Sequence, residues 1–515
     1  MIKTTTYRPE LLKSAIELHQ RGDLKGAQRL YEEILLTNPD HFDALHFSGL
    51  IDKQTGHSAN AIKKIGAALN TVKTGMNPGH ASALCNLGAA YQDTSQPELA
   101  MEAYQKAIQL RPDYAIAHNN LGNALKNLGH YRQAYDSYTT AIHYRHDYPE
   151  AYYHASLVLQ LTGQFEEALR YAEQALRLRP DYPEACCAKG VALHSLGQFD
   201  SAIDSYSQAL ALKANFAQAY FNRAISYNRV SQFQNAVCDF ELAIRYQPNY
   251  PNAYFYLGNS QKQLNNPVLA IAAYNRAKEL GADPDQVEFA LATLDEAAIP
   301  SAAPPGYIKD LFDQYADHFD VHLTQVLQYK IPQLIAQMVA PHLAGQQLDC
   351  IDLGCGTGLC ADFLRQHSAT LTGIDLSQNM LDQAASLNLY DDLFCAEITD
   401  YLFQSKQQVD LIIAADVLVY LGDLQRLMQG VTMTLRDQGL FCFSVEKLKS
   451  DPPSSDYILQ TSARYAHSEA YIRKLAPQHN LKLIQINQHS GRQENRTESD
   501  ALIVLLQKVS GSPEM

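Results

Sequence analysis

A chain of 515 residues is too long for one hydrophobic core and predicts at least two domains. Its composition, 46% hydrophobic and 19% charged, is that of an ordinary globular protein, and no apolar run is long enough to span a bilayer, so no membrane partner is expected. The formal charge of −14 is uneven: from Tyr307 onward there are 25 acidic and 15 basic residues, which argues against a nucleic-acid surface there because phosphate binding needs a basic face.

The first ten residues, "MIKTTTYRPE", lack the apolar core and small-residue cleavage site of a secretory leader. Nine cysteines without a CxxC pair read as reduced thiols of a cytoplasmic protein. Cys350, Cys355 and Cys360 are evenly spaced but fall in a strand, a loop and a helix, so no metal site is expected.

From about residue 8 the sequence repeats. Leu84, Leu87, Gly88, Tyr91, Ala100, Tyr104, Ala107 and Pro112 set a frame that returns every 34 residues, as Gly122, Ala134, Tyr138 and Ala141, and then as Gly190, Ala202, Tyr206 and Ala209. Six such units run from 81 to 284, and two more precede them, separated by a five-residue insertion in "TVKTGMNPGH". Each unit should hold two helices, with small residues where backbones approach and Tyr, Leu or Phe between. One unit cannot bury its apolar face alone, so units must stack. These residues resemble tetratricopeptide repeats. The resemblance implies an all-α superhelix of eight units over residues 8–284, with a groove that takes a protein or peptide. By that resemblance the groove holds Asn86, Asn119, Asn120, Asn123, Tyr153, His154, Phe221, Asn222, Phe255 and Asn259. Asparagine amides offer an extended peptide both donor and acceptor; otherwise they are solvated surface groups.

Residues 285–306 read as a capping helix, patterned in "DPDQVEFALATLDEA", and a Pro/Ala-rich linker, "AIPSAAPPG". Beyond it, over 307–510, the pattern changes. Helices at about 307–341 precede apolar runs at Leu348–Leu353, Thr370–Asp375, Asp392–Ala396, Val409–Ala414, Gly439–Val445, Leu481–His489 and Ala501–Gln507. Strands alternating with helices predict an α/β, Rossmann-like domain with a doubly wound, mostly parallel sheet, and a ligand at the carboxyl ends of its first strands.

"IDLGCGTG", residues 351–358, falls at that place. Its glycines, Gly354, Gly356 and Gly358, match neither the dinucleotide fingerprint nor the phosphate loop of nucleoside triphosphatases. The next strand ends in Asp375, a carboxylate able to accept from both hydroxyls of a ribose, whether that of a nicotinamide dinucleotide or of S-adenosylmethionine. Asp352, just before the glycines, would repel a pyrophosphate; it could hold an ammonium or order the loop. That favours S-adenosylmethionine.

"IDLGCGTGL", "GIDLSQNML" and "DLIIAADVLVYL" resemble the successive signatures of class I S-adenosylmethionine-dependent methyltransferases. "YIKDLFDQYADHFDVHL" and "SARYAHSEAYIRKLA" resemble the bacterial subgroup in which tetratricopeptide repeats are fused to such a domain. The resemblance implies that Asp352, Gly354, Cys355, Gly356 and Gly358 surround the methionine part of the cofactor. It places Asp375 on the ribose with Leu376 beside it, Met380 against the adenine, Glu397 on the adenine amino group and Ile398 as a backbone donor. Asp416, with Val417 near it, would face the reacting methyl, and Tyr315 and Phe319 would belong to a helix that closes over the cofactor. Methyl transfer depends on alignment and desolvation more than on a base, so no fixed catalytic residue is expected; Asp416, Tyr315 and His467 are candidates. Tyr420, Arg464, Tyr465 and His467 belong either to an acceptor pocket or to the packing.

Two features depart from family patterns. "DPPS", residues 451–454, resembles the Asp-Pro-Pro-aromatic box of amine and amide methylases, but it follows the fifth strand and ends in Ser, so it reads as a stiff loop. Arg436-Asp-Gln-Gly439 stands where Pro-Gly-Gly is common. The expected function is methyl transfer to an unidentified acceptor, with the repeats recruiting a protein substrate or partner. The alternative is an interaction scaffold with a non-catalytic cofactor-binding domain.

Overall fold

The computed structural model describes residues 9–71, 77–294, 299–313, 330–343, 345, 347–448, 455–494 and 497–510. Tyr315, Phe319 and residues 451–454 lie outside these. The chain divides into two compact units, 1–264 and 265–515. No described helix is long and apolar enough to cross a membrane.

The first unit is built of helix pairs such as His80–Asp93 with Pro97–Leu110, Ala115–Asn127 with Tyr131–Tyr144, and Pro183–Ser195 with Phe199–Leu212. The 34-residue frame has a direct packing cause. A Cβ added to Gly88, Gly122 or Gly190 would lie 2.7, 2.5 or 2.5 Å from the ring of Tyr104, Tyr138 or Tyr206. The glycine on the first helix makes room for the ring on the second. Where Ser156 replaces the glycine, the equivalent ring position holds Ala172, so one side shrinks as the other grows. Ala100, Ala134, Ala168, Ala202 and Ala236, one per unit, are wholly buried.

The second unit contains helix Pro284–Ala292, capped by Asp283, whose Oδ1 accepts from the N–H groups of Asp285 and Gln286 at 2.9 and 3.2 Å. The described part of the expected linker is not a free spacer. Ser301 O accepts from Gly422 N at 2.8 Å and Asp423 N at 2.9 Å, and Ala303 N donates to Tyr420 O at 2.8 Å. Phe289 and Ala303 pack with Val419, Tyr420, Leu459, Ala463 and Tyr465.

Among the described residues nine strands form one sheet: β1 (Leu348–Leu353), β2 (Ser368–Asp375), β3 (Asp392–Cys395), β4 (Val409–Ala414), β5 (Leu435–Lys447), β6 (Tyr457–Leu459), β7 (Tyr465–His467), β8 (Leu481–Glu494) and β9 (Thr497–Lys508). The order is β3-β2-β1-β4-β5, all parallel, with β9 and then β8 added antiparallel. Apolar residues alternate between the two faces. Ile351, Leu353, Ile412, Phe441 and Phe443 pack with the helices at 398–404, 425–434 and 469–478. Leu348, Cys350, Leu411, Ile413, Leu440 and Cys442 pack with those at 331–339 and 361–367. Both faces are covered, so the strands carry almost continuous apolar runs.

The short β6 and β7 were not foreseen. They form a hairpin, and β7 pairs in parallel with Glu446 and Lys447 of β5. β9 occupies one edge of β5 from Leu440 to Glu446, so β7 extends the opposite edge, past the end of β4.

Candidate functional site

β1 and β2 are neighbours in register, Asp352 against Gly373 and Leu353 against Ile374, so their ends open side by side. The three glycines after β1 have φ of 65°, 54° and 94°, a region that L side chains rarely adopt. Space constrains two of them further. A Cβ on Gly354 would lie 2.5 Å from Val417 Cγ2, and one on Gly358 would lie 2.7 Å from Leu387 Cδ1.

Asp375 ties this loop to its surroundings. Its Oδ2 accepts from Gly356 N and its Oδ1 from Ser377 N, each at 2.9 Å. Each oxygen keeps acceptor capacity, which a diol would use. Burial raises the pKa of Asp375, opposed by the Ser377 and Gly356 N–H groups. Ser377 caps helix Gln378–Ser386, accepting from Met380 N at 3.2 Å, and its hydroxyl donates to Asp313 Oδ1 at 2.5 Å. Asn379 Nδ2 donates to Asp313 O at 3.1 Å. Asp313, at the end of helix Pro305–Asp313, is a residue the sequence reading missed.

Asp352 is buried and accepts from Tyr390 OH at 2.7 Å. Burial pushes its pKa up to about 7, with the Tyr390 hydrogen bond opposing and Asp375 adding. Of the two roles left open for Asp352, this geometry supports ordering the loop. A buried carboxylate already bonded to Tyr390 is poorly placed to grip an ammonium directly. Cys355 is buried and its N–H donates to Ile374 O at 3.0 Å, while Leu376 is half-buried.

Met380 corrects an expectation. It is 1% exposed, so its side chain is turned into the protein and presents no face for an adenine. Glu397 caps helix Ile398–Gln404, its Oε2 accepting from Asp400 N at 2.7 Å, which commits one of its oxygens. Ile398 is the first residue of that helix, where an N–H has no intrahelical acceptor. Ala396 N donates to Asp375 O at 2.9 Å, holding the start of this helix beside the end of β2.

Asp416 follows β4 with φ of 58°, a left-handed backbone, and its N–H donates to Ser444 Oγ at 2.8 Å. Its Oδ1 accepts from Arg464 Nη2 at 2.6 Å. Arg464 is buried, its Nε donates to Glu446 Oε1 at 2.6 Å, and its guanidinium lies 5.7 Å from the Tyr420 ring centroid. Burial opposes the charge on Arg464, but Asp416 and Glu446 hold it firmly protonated. Glu446 and Tyr390 carried no motif and were missed.

His467 is corrected. It is 0% exposed, its Nε2 lies 3.0 Å from Gly422 O, and its ring stacks on Tyr471 at an interplanar angle of 12°. Burial lowers its pKa to about 4. A buried, neutral, packed imidazole is a poor general base. Tyr465 is likewise a packing residue, wholly buried with its hydroxyl donating to Pro300 O at 2.8 Å. Tyr420 lies edge-on to Phe312 at 5.6 Å.

Some of the expected groove residues are already engaged within the repeats. Asn119 is 3% exposed, and its Oδ1 lies 2.9 Å from His154 Nδ1 in the next unit. Asn123 accepts from Tyr138 OH at 2.7 Å. These two amides join helices and are not free to read a peptide. Asn86 lies 2.9 Å from His46 Nε2, and Asn120 and Asn222 each contact a cysteine sulfur at 3.7 Å, on Cys85 and Cys187. Tyr153, Phe221, Phe255 and Asn259 are half-buried.

Comparisons with known proteins find repeats in the earlier part of the chain, running past residue 265, and a different family beyond them. A family described as "Methyltransferase domain" matches residues 351–441. Tetratricopeptide-repeat families match 80–111, 96–129, 115–145, 149–182, 190–230 and 217–287. Among curated relatives, a ubiquinone biosynthesis O-methyltransferase of Coxiella burnetii is 30% identical over 98 residues, 18% of this chain and 42% of that protein. Its counterpart from Thiobacillus denitrificans is 26% identical over 144 residues, covering 26% and 61%. Nodulation protein S of Rhizobium tropici is 31% identical over 103 residues, covering 20% and 43%. The chain thus spans less than two thirds of the length of these relatives. Among solved structures, the chain is similar to one in the APC/C hetero-tetramer Cut9-Hcn1 (18% identity, 55% of each chain, TM-score 0.43). It is also similar to YrrB, a TPR protein with an unusual peptide-binding site (23% identity, 37% of this chain and 98% of that one, TM-score 0.32). The chain carries tetratricopeptide repeats between residues 80 and 287 and a methyltransferase domain around residues 351–441.

Proposed function

We propose that the second unit binds S-adenosylmethionine and transfers its methyl group to an acceptor that the repeats recruit as a protein or as part of one. The observation that carries this reading is the Asp375 carboxylate, bonded to Gly356 N and Ser377 N at 2.9 Å on a loop of three left-handed glycines. The donor set fits the cofactor. Bare backbone at the loop accommodates a polar chain, and Asp375 suits a ribose diol. Each charge-assisted hydrogen bond to the diol contributes about 1.5–3 kcal/mol.

When bound, the cofactor supplies an electrophilic methyl on a sulfonium. The protein aligns that methyl with the acceptor and excludes water. The glycine loop and Asp375 hold the donor, the Ile398 N–H and the second oxygen of Glu397 are placed for the base, and Asp416 borders the reacting end. Nucleic acid is not proposed as a partner, since this part of the chain is acidic.

Calorimetric titration of the full chain with S-adenosylmethionine tests the reading. Saturable binding that Asp375→Ala weakens at least a hundredfold is expected. No detectable binding by the wild type would sink it. Binding without turnover on any partner would instead favour the scaffold alternative.

A further inference from the structure

β4 ends at Ala414 while β5 continues to Lys447, and β7 takes the vacated edge at Glu446 and Lys447. This brings Arg464, the residue before β7, between two carboxylates from different segments. Its Nε bonds Glu446 Oε1 and its Nη2 bonds Asp416 Oδ1, each at 2.6 Å. Gln460 Nε2 takes the other oxygen of Glu446 at 3.1 Å, so both oxygens of Glu446 are engaged. Asp416 Oδ2 has no partner among the described residues, and the Asp416 side chain is 20% exposed where that of Arg464 is 7%. The Asp416 backbone is locked in a left-handed turn, and the adjoining Val417 rests on Gly354 of the glycine loop. Four separate segments therefore fix the Asp416 carboxylate and leave one of its oxygens without a partner among the described residues.

We propose that Arg464 is a positioning residue that holds Asp416 by Oδ1 and leaves Oδ2 open, and that Oδ2 takes the hydrogen of the methyl acceptor. The acceptor is then a hydroxyl or amine and not a carboxylate. This rests on the reading of the loop as the methyl-donor site. In the transfer, the lone pair of the acceptor atom forms a bond to the methyl carbon. The carbon–sulfur bond breaks, its electron pair goes to sulfur, and the acceptor's proton passes to Oδ2 or to water. Without Arg464 nothing holds Oδ1, and the Asp416 carboxylate is free to turn Oδ2 away from the acceptor. A carboxylate acceptor has no hydrogen to offer and would meet two acids against one cation.

The test compares two cofactor analogues by calorimetry on the full chain. Sinefungin carries an ammonium where the reacting methyl would be; S-adenosylhomocysteine has neither methyl nor charge there. The wild type should prefer sinefungin. Asp416→Asn should cut that preference at least tenfold and leave S-adenosylhomocysteine affinity within threefold. Arg464→Gln should also cut the preference, and Arg464→Lys should restore it. An unchanged preference in Asp416→Asn overturns the proposal but leaves the cofactor reading standing. Failure of both analogues to bind the wild type overturns both. Label transferred from tritiated cofactor to an extract of the source cells gives a second readout. Base-stable label supports the acceptor class, and label released by alkali as methanol refutes it.

Discussion

Asp352 makes stability and pH inseparable in the second unit. It is wholly buried, and its pKa stands at about 7 against an ordinary 3.8. In the unfolded chain the carboxyl loses its proton near pH 4, but in the folded chain it keeps it to about pH 7. Between these values the folded state holds one more proton, so stability falls as pH rises. The shift, 7 minus 3.8 or 3.2, corresponds to about 4 kcal/mol at roughly 1.4 kcal/mol per pH unit. The full stabilisation is present below pH 4 and is gone above pH 7. Asp352→Asn keeps an oxygen to accept from Tyr390 OH and carries no charge at any pH. The variant should exceed the wild type by only about 1 kcal/mol at pH 4.5 and by about 4 kcal/mol at pH 8. Urea midpoints of the second unit's transition, measured from pH 4.5 to 8 for both proteins, give the difference directly. A difference that stays constant across that range would refute the reasoning, because a steric effect of the amide has no pH dependence. Gained stability together with weakened cofactor binding would mark Asp352 as a charge kept for function at a cost in stability.

Three further outcomes are expected. Gly190→Ala places a Cβ 2.5 Å from the Tyr206 ring and should destabilise the repeats by about 1–3 kcal/mol in a urea melt, most of which a smaller residue at 206 should restore. Asp375→Ala removes the acceptor shared by Gly356 N and Ser377 N, so hydrogen exchange at both amides should rise alongside the loss of cofactor binding. Arg464→Met strands Asp416 and Glu446 and should cost about 3–5 kcal/mol at neutral pH, whereas the triple change with Asp416→Asn and Glu446→Gln should recover most of it.

The repeats and the principal strands were legible because each is written as a period. The apolar runs Leu348–Leu353 and Val409–Ala414 coincide with β1 and β4, since a strand covered on both faces needs an unbroken apolar stretch. β6 and β7 are three residues each and have no pattern of their own. They exist because β5 outruns β4 and offers an unpaired edge, a fact of the assembled sheet. Met380 was misread for a related reason. Helical spacing puts it one turn into a helix that starts beside the site, but it does not say which side faces the core. Asn119 and Asn123 recur at groove heights, yet their partners His154 and Tyr138 become neighbours only once the helices pack.

A single distinction runs through these differences. The proposed donor end uses chemistry that demands particular residue types: glycine where φ is positive, a carboxylate for a diol, a helix start for a backbone donor. Such demands leave signatures in sequence, and "IDLGCGTG" with Asp375 carries them. The proposed acceptor end is made by tertiary pairing. The β6–β7 hairpin sets Arg464 on Asp416, and residues 300–303 bond to Tyr465, Tyr420, Gly422 and Asp423. The Pro/Ala-rich composition there suggested a linker, but a proline carbonyl remains an acceptor, and Tyr465 uses that of Pro300 at 2.8 Å. The segment that leaves helix Pro284–Ala292 is thus bonded to the loop that carries Tyr420, next to the Asp416 network. Changes in that segment should therefore act on acceptor selectivity before they act on cofactor affinity.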